Sequence, residues 1–219
     1  MAAAVAVLPG ARDPNRPALP AGSMDVGAPR GVSTREATQT PVFATVRGLR
    51  LMLPHRSPVL VAFHEASKPE ALALNPVGRL VANDNSSEFD AGPDRPGPNY
   101  QVLSSRGRGR PATSAVDIVM PRGATIMAPV SGRVVELRQY PLYGRTLDWR
   151  VAIKPVENPS FEVVLIHLER PQVAVGDHVI AGKTPLASVR LLNFTSQVDY
   201  VTNKRLPHTH IEVKKALGA

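Results

Sequence analysis

The chain has 219 residues, of which 43% are hydrophobic and 5% aromatic, with 22 prolines and 16 glycines. This length suits one well-packed core, with at most a smaller appended module. Because the chain has no cysteine, disulfides, cysteine nucleophiles and cysteine-ligated metals are excluded. The formal net charge of +8 would attract polyanions such as nucleic acid, anionic lipid or an anionic cell wall. The arginines are scattered, however, which equally fits an ordinary basic surface.

Residues 1–40 are rich in Pro, Gly, Ala and Arg and show no sustained periodicity, which predicts a flexible leader. The opening MAAAVAVLPGA resembles the apolar end of a signal peptide, but no basic stretch precedes it. It is interpreted either as the remnant of a secretion signal, which predicts a secreted or envelope protein, or as an ordinary tail. No apolar run approaches the roughly 20 residues needed to span a bilayer.

Residues 41–83 predict a small β-rich N-terminal subdomain, or strands that pack onto a larger domain. The segments VFATVRGL, LRLML, PVLVAFHEA and GRLVAND are short, strand-like and separated by turn residues. Residues 84–110 follow as a polar linker with Pro and Gly breakers, which ends in the arginine–glycine run SSRGRGRP. This run is interpreted either as a basic loop at a binding cleft or as a solvated surface loop.

Residues 111–216 predict a nearly all-β domain. The Val/Ile-rich segments from SAVDIVM to HTHIEV are separated by Gly, Pro or polar turns, and none has the pattern of a capped amphipathic helix. The stretches 123–129 and 176–182 share the pattern G-x-x-[IV]-x-A-[PG]. This repeat predicts two similar hairpin units, each with a glycine turn that leads into a strand, as in duplicated hybrid β-barrel-sandwich folds.

Histidines are the main candidates for chemistry, and the chain has six. His208 and His210 stand two positions apart in the strand-like LPHTHIEV, so both imidazoles face the same side of a sheet. His167 ends VVLIHL and is expected to reach the same face. Asp117 lies in the apolar SAVDIV, where a buried carboxylate needs a partner or a cation. Together these residues fit a hydrolytic zinc site, which keeps one position open for water.

Four segments of residues 111–216 resemble the lysostaphin-like (LytM-type) zinc metallopeptidases; in order they are SAVDIVMPRGATIMAPVSGRVV, FEVVLIHLE, VAVGDHVIAGKTPLASV and PHTHIEV. The resemblance implies a lysostaphin-like antiparallel sheet and a location in the bacterial cell envelope. It also implies that Asp117 and His210 are zinc ligands. His167 and His208 would be the catalytic pair, which orients the attacking water or stabilises charge on the scissile amide oxygen.

The family pattern His-x-x-x-Asp is broken in this chain. Thr113 stands four residues before Asp117, where the remaining zinc ligand is expected. A neutral hydroxyl is a poor substitute for imidazole, so the first interpretation is a degenerate domain in which zinc is weakly bound or absent. Such a domain would bind peptidoglycan peptide, or regulate a partner wall hydrolase, with little or no hydrolysis. The alternative is an active zinc endopeptidase that cleaves peptidoglycan cross-bridges, with His64 as a third ligand from outside the matching segments.

Two other classes of protein have less support. A lipoyl or biotin carrier shares the hybrid barrel and needs a lysine at a hairpin tip. Lys183 is the nearest candidate, but the residues around it do not resemble a modification site. Nucleic-acid binding depends on the net charge and the arginine–glycine run alone, without an aromatic stacking platform.

Overall fold

The computed structural model describes residues 41–216, and the leader predicted for residues 1–40 lies outside the described residues. Almost all regular structure in this range is β-strand, which confirms the all-β prediction. The elements are β1 (Val42–Val46), β2 (Leu49–Met52), β3 (Leu60–His64), β4 (Asn75–Pro76), β5 (Arg79–Asn83), β6 (Asn99–Val102), β7 (Ala115–Val119), β8 (Thr125–Met127), β9 (Gly132–Leu142), β10 (Thr146–Pro155), β11 (Phe161–Glu169), β12 (His178–Val179), β13 (Pro185–Val189), α1 (Gln197–Thr202) and β14 (His208–Lys215). None of the described helical segments has the length and apolar character required to cross a membrane.

The strands form one large sheet of eleven and a small sheet of three, ordered β2-β1-β4. Along the large sheet the order is β12-β9-β10-β11-β14-β7-β3-β6-β5, and β13 and β8 attach to it beside β11. Neighbouring strands are antiparallel from β9 to β3, whereas the β3–β6 and β5–β6 pairs are parallel. Strand β3 pairs with β7, so the segments 41–83 and 111–216 contribute to the same sheet.

Alternating apolar residues on these strands form the hydrophobic core. Phe43, Phe63 and Leu165 are fully buried within it. The ring of Tyr100 on β6 packs edge-on against Phe63, with 5.5 Å between the ring centroids. Residues 99–102, within the segment predicted as a linker, are therefore fixed to the core by both strand pairing and aromatic packing.

The two glycine turns predicted from the shared sequence pattern have similar backbones. Gly123 and Gly176 have φ angles of +74° and +101°, which glycine adopts without the steric cost of a Cβ atom. Each turn leads into a short strand, β8 in one case and β12 in the other. The structure thus contains a glycine turn and a following strand in both places. However, β8 pairs with β13 and β12 pairs with β9, so neither strand pairs with its neighbour along the chain and the prediction of two hairpin units is wrong.

Candidate metal centre

Asp117 lies at the centre of a buried group of histidines. Its strand, β7, runs between β14 and β3, and Asp117 is paired with His210 on one side and Ala62 on the other. Paired residues, and residues two positions apart on a strand, project from the same face of a sheet. His64 and His208, each two positions from a partner of Asp117, therefore lie on the same face as the carboxylate.

Three of these side chains converge closely enough to hold one metal ion. His64 Nε2 lies 3.1 Å from Asp117 Oδ1, and His210 Nδ1 lies 3.0 Å from the same oxygen. The three candidate ligand atoms all lie within 4.8 Å of one another, and all three residues are buried. Two imidazole nitrogens and one carboxylate oxygen are a ligand set found in zinc hydrolases.

The His64 side chain is oriented so that one ring nitrogen is available to a metal. Its Nδ1 lies 2.9 Å from the Glu65 carbonyl oxygen, and because a carbonyl only accepts, Nδ1 carries the proton and donates it. Nε2 then has a lone pair, and it is buried without a hydrogen-bond partner among the described residues. A buried, unpartnered imidazole nitrogen that faces a carboxylate fits a bound cation, with the Glu65 carbonyl fixing the ring as outer-shell partners of zinc ligands do.

Thr113, at the position where the family pattern has a ligand, has a different set of contacts. Its hydroxyl donates a 2.7 Å hydrogen bond to the Leu74 carbonyl, and the Leu74 amide donates to the Thr113 carbonyl at 3.0 Å. The group of potential ligands contains His64 instead. Because β3 is antiparallel to β7, it places His64 opposite Ala115, two residues before Asp117. Strands β3 and β7 are distant in sequence but adjacent in the sheet. Their pairing thus brings an imidazole close to Asp117 that the segment before Asp117 does not contain.

His167 reaches the group through an irregularity in β11. Its backbone has a φ of +66°, which is uncommon for a residue with a Cβ atom. The register between β10 and β11 shifts nearby, between Trp149 and Val151, and such a bulge re-aims a side chain. The His167 ring centroid lies 5.2 Å from that of His208 and 6.0 Å from that of His210. The ring therefore lies against the histidines of β14, as the sequence predicts.

Asp148 on β10 is a site residue that the sequence analysis missed. It is fully buried, and its Oδ2 accepts hydrogen bonds from the His167 backbone N and from His167 Nδ1, both at 2.9 Å. The Tyr140 hydroxyl donates to the same oxygen at 2.9 Å. A carboxylate within the strand-like segment around WRVAIKPV was the available signal, and it is the same signal that identified Asp117.

Charges within the group are strongly coupled. Burial alone would raise the pKa of Asp117, but the neighbouring imidazoles of His64 and His208 and the hydrogen bond from His210 outweigh it and hold that pKa well below its usual range. Burial alone would lower the pKa of His210, but hydrogen bonds and charge from Asp117 and Glu212 raise it to about 9. Without metal, His210 is therefore an imidazolium held between two carboxylates.

His167 and His64 are shifted in the opposite direction. Burial lowers the pKa of His167 to about 4, since it outweighs the hydrogen bond to Asp148 and is reinforced by the charge of His208. Burial also lowers the pKa of His64, against the charge of Asp117. Both rings are therefore neutral near pH 7, which a metal ligand and a general base each require.

The remaining candidates from the sequence lie outside this group. His178 and Lys183 are exposed, and His55 is partly exposed. Among the described residues, neither His55 nor His178 belongs to a group that could hold a metal. Five of the sequence-predicted residues, His64, Asp117, His167, His208 and His210, are brought together, and Thr113 is not one of the potential ligands.

No protein-family model matches this chain, and no curated protein matches it. Among solved structures, it is similar to a zinc-containing peptidase from Vibrio cholerae at 23% identity and a TM-score of 0.35, over 46% of this chain and 26% of that one. The chain resembles lysostaphin-like zinc peptidases. Similar structures include the catalytic domain of the antimicrobial peptidase lysostaphin from Staphylococcus simulans, at 21% identity and a TM-score of 0.36, over 48% of this chain and 68% of that one.

A further similar structure is the catalytic domain, in a point-mutant form, of EnpA, a prophage-encoded M23 protein from Enterococcus faecalis. It is 19% identical with a TM-score of 0.37, over 75% of this chain and 87% of that one. The first of these relatives is much longer than the matching region, since this chain spans about a quarter of the Vibrio peptidase (26%).

Proposed function

We propose that this chain is a zinc-dependent peptidase in which His64, Asp117 and His210 hold the metal. The observation that carries the proposal is the buried Nε2 of His64, which lies 3.1 Å from Asp117 Oδ1 and has no hydrogen-bond partner among the described residues. Three protein ligands, rather than two, favour the active enzyme over the degenerate binding domain. Zinc in such a site supplies Lewis-acid activation of a peptide carbonyl and of water.

In this proposal His167 is the general base. Its ring is neutral near pH 7, and because Nδ1 donates to Asp148 at 2.9 Å, Nε2 has the lone pair that accepts a proton. The buried carboxylate of Asp148 then stabilises the imidazolium that results, which is the role of the acidic partner in other Asp–His pairs.

His208 is proposed to act beside His167 on the substrate. Its Nε2 lies 4.0 Å from Asp117 Oδ2, farther than the corresponding contacts of His64 and His210. Its ring packs edge-on against the ring of His167. From this position His208 can donate a hydrogen bond to negative charge that develops on the scissile carbonyl oxygen.

We propose peptide cross-bridges of peptidoglycan as the substrate, and the bacterial cell envelope or exterior as the location. The substrate class depends on the resemblance of the four sequence segments to lysostaphin-like peptidases. The net charge of +8 is compatible with a surface that approaches an anionic cell wall.

The test is zinc content, measured by elemental analysis of protein purified without a chelator or an affinity metal. We expect about one zinc per chain in the wild type, as for other sites with three protein ligands, and its loss in both His64→Ala and Asp117→Ala. His178→Ala, which removes an exposed histidine, is the matched control and should retain zinc. Wild-type protein should also release soluble fragments from peptidoglycan.

A folded wild-type chain without zinc, together with an unchanged His64→Ala variant, would overturn the proposal. The degenerate interpretation would then take its place. In that case the chain should sediment with insoluble peptidoglycan, or bind a partner wall hydrolase, without releasing fragments.

A further inference from the structure

The arginine–glycine run is attached to the residue that follows His64. The Glu65 carboxylate is buried: its Oε1 accepts a hydrogen bond from the Ser105 hydroxyl at 2.6 Å. Its Oε2 accepts from the backbone amides of Arg106 at 2.9 Å and Arg108 at 3.0 Å. Gly107, between these amides, has a φ of +64°, which turns both of them toward the carboxylate. We call residues 105–108 the anchored loop.

A second link joins the anchored loop to His64 itself. The Arg108 guanidinium donates from Nη1 to the Glu65 backbone carbonyl at 3.0 Å. The same carbonyl oxygen accepts the Nδ1 proton of His64 at 2.9 Å, and one carbonyl oxygen can accept both bonds. The orientation of the His64 ring, and thus the direction of its Nε2, depends on where the loop holds this carbonyl.

On its other side the anchored loop contacts the element that precedes β14. The Arg106 side chain donates from Nε to the Gln197 side-chain oxygen, and Gln197 Nε2 donates to the Ser104 carbonyl at 3.1 Å. Gln197 is the first residue of α1. The loop therefore bridges the end of β3, which bears His64, and the helix that leads into β14, which bears His208 and His210.

We propose that Glu65 is a positioning residue that, through the anchored loop, fixes His64 for zinc and couples the loop to zinc affinity. This inference rests on the proposed function, because it requires His64 to be a ligand. Partners in the outer shell of a zinc site typically change metal affinity by about 10–100-fold. Since linked binding equilibria are reciprocal, zinc must in turn oppose opening of the loop by the same factor.

Zinc affinity of Glu65→Gln, measured by competition with a chromogenic chelator, is the first readout. Glutamine keeps the size of the side chain but replaces one of the two carboxylate oxygens with an NH2 group and removes the charge, so the loop loses one acceptor and its remaining hydrogen bonds to this side chain are weaker. We expect zinc affinity to fall by about 10–100-fold. Glu136→Gln is the matched control. The Glu136 carboxylate pairs with the side chains of Arg138 and Arg150 and is not one of the candidate metal ligands, so zinc affinity should not change.

Arg108→Ala provides a second variant, which keeps the Glu65 carboxylate and the backbone amides that donate to it. It removes only the guanidinium that binds the Glu65 carbonyl, so we expect a smaller loss of zinc affinity, about two- to tenfold for one hydrogen bond. Arg108 is partly exposed, so this variant should fold even if Glu65→Gln does not.

Trypsin cleavage within the anchored loop, located by mass spectrometry, is the readout that does not depend on activity. Zinc should slow cleavage after Arg106 and Arg108 in the wild type and should have little effect on cleavage after Arg106 in Glu65→Gln. Folded variants that bind zinc as tightly as the wild type, with the same protection, would overturn the inference. A wild type that binds no zinc would instead overturn the proposed function, so the two failures are distinguishable.

Discussion

Oδ2 of Asp148 accepts two hydrogen bonds from a single residue, His167: one from its backbone N and one from its ring Nδ1, both at 2.9 Å. The first bond holds the backbone where φ is +66°, and the second holds the ring. One buried carboxylate thus stabilises both an uncommon backbone conformation and the direction in which Nε2 points.

Asp148→Asn should impair hydrolysis without removing zinc. An amide cannot stabilise an imidazolium as a carboxylate does, so we expect the rate on soluble peptidoglycan fragments to fall by about 10²–10⁴-fold, the range for loss of general acid–base catalysis. Zinc per chain should stay at the wild-type value because Asp148 is not one of the candidate metal ligands. Tyr140→Phe, which removes one hydrogen bond from the same oxygen, should have a smaller effect. Loss of zinc together with activity would contradict this role for Asp148.

His208→Ala and His210→Ala form a pair on the same face of β14 with different expected results. His210→Ala should lose zinc, since His210 is one of the three candidate ligands. His208→Ala should retain zinc and lose hydrolysis by about 10²-fold or more. Elemental analysis and rate measurements on the two proteins distinguish a ligand from a substrate-contacting residue. Equal loss of zinc from both variants would show that His208 is also a metal ligand.

Thr113→Val tests whether the threonine has any part in metal binding. Valine has nearly the same shape but cannot donate to the Leu74 carbonyl, which Thr113 now contacts at 2.7 Å. The free energy of unfolding should fall by about 1 kcal/mol, with more if the carbonyl remains buried and unpaired. Zinc content should not change. A Thr113→Val protein that is stable but free of zinc would show that the hydroxyl is a ligand.

The metal-free protein should lose stability as the pH rises from 6.5 to 9. Folding raises the pKa of His210 from 6.5 to about 9, so the folded chain binds this proton more tightly than the unfolded chain does. His210 thereby adds to the free energy of unfolding, by an amount on the order of 3 kcal/mol at most. This contribution is fully present below pH 6.5 and is lost as the pH rises through 9. Denaturant unfolding in the presence of a chelator measures it.

Glu212→Gln should flatten this pH dependence, because Glu212 helps to raise the pKa of His210. His167 does not contribute in the same window, since its folded pKa of about 4 lies below 6.5 and the ring is neutral in both states above that pH. A wild-type stability that is unchanged between pH 6.5 and 9 would contradict a raised pKa for His210.

Local sequence patterns were sufficient to predict the part of the candidate metal site that lies on β7 and β14. Alternation along a strand places His208 and His210 on one face, and the placement of Asp117 in an apolar segment indicates a buried carboxylate with a partner. Both inferences use only residues close in sequence. The same reasoning predicted most strands, because their Val/Ile content and the turns between them are local features.

Two other features depend on contacts between distant residues, so no local pattern predicts them. The role of His64 depends on the antiparallel pairing of β3 with β7, which the sequence suggested only as one hypothesis. The pairing of Asp148 with His167 depends on a bulge between β10 and β11. The short strand β6 escaped prediction because its residues follow a run of proline, glycine and polar residues that is typical of linkers.

The position of His64 on β3 has a consequence for how zinc binding reports on folding. Strands β7, β11 and β14 lie in the later part of the chain and bring Asp117 and His210 together when they pair. The third proposed ligand lies on β3, whose pairing with β7 is a second contact between residues far apart in sequence. A metal that requires all three ligands is therefore retained only by chains that have completed the sheet, and zinc retention would report complete folding.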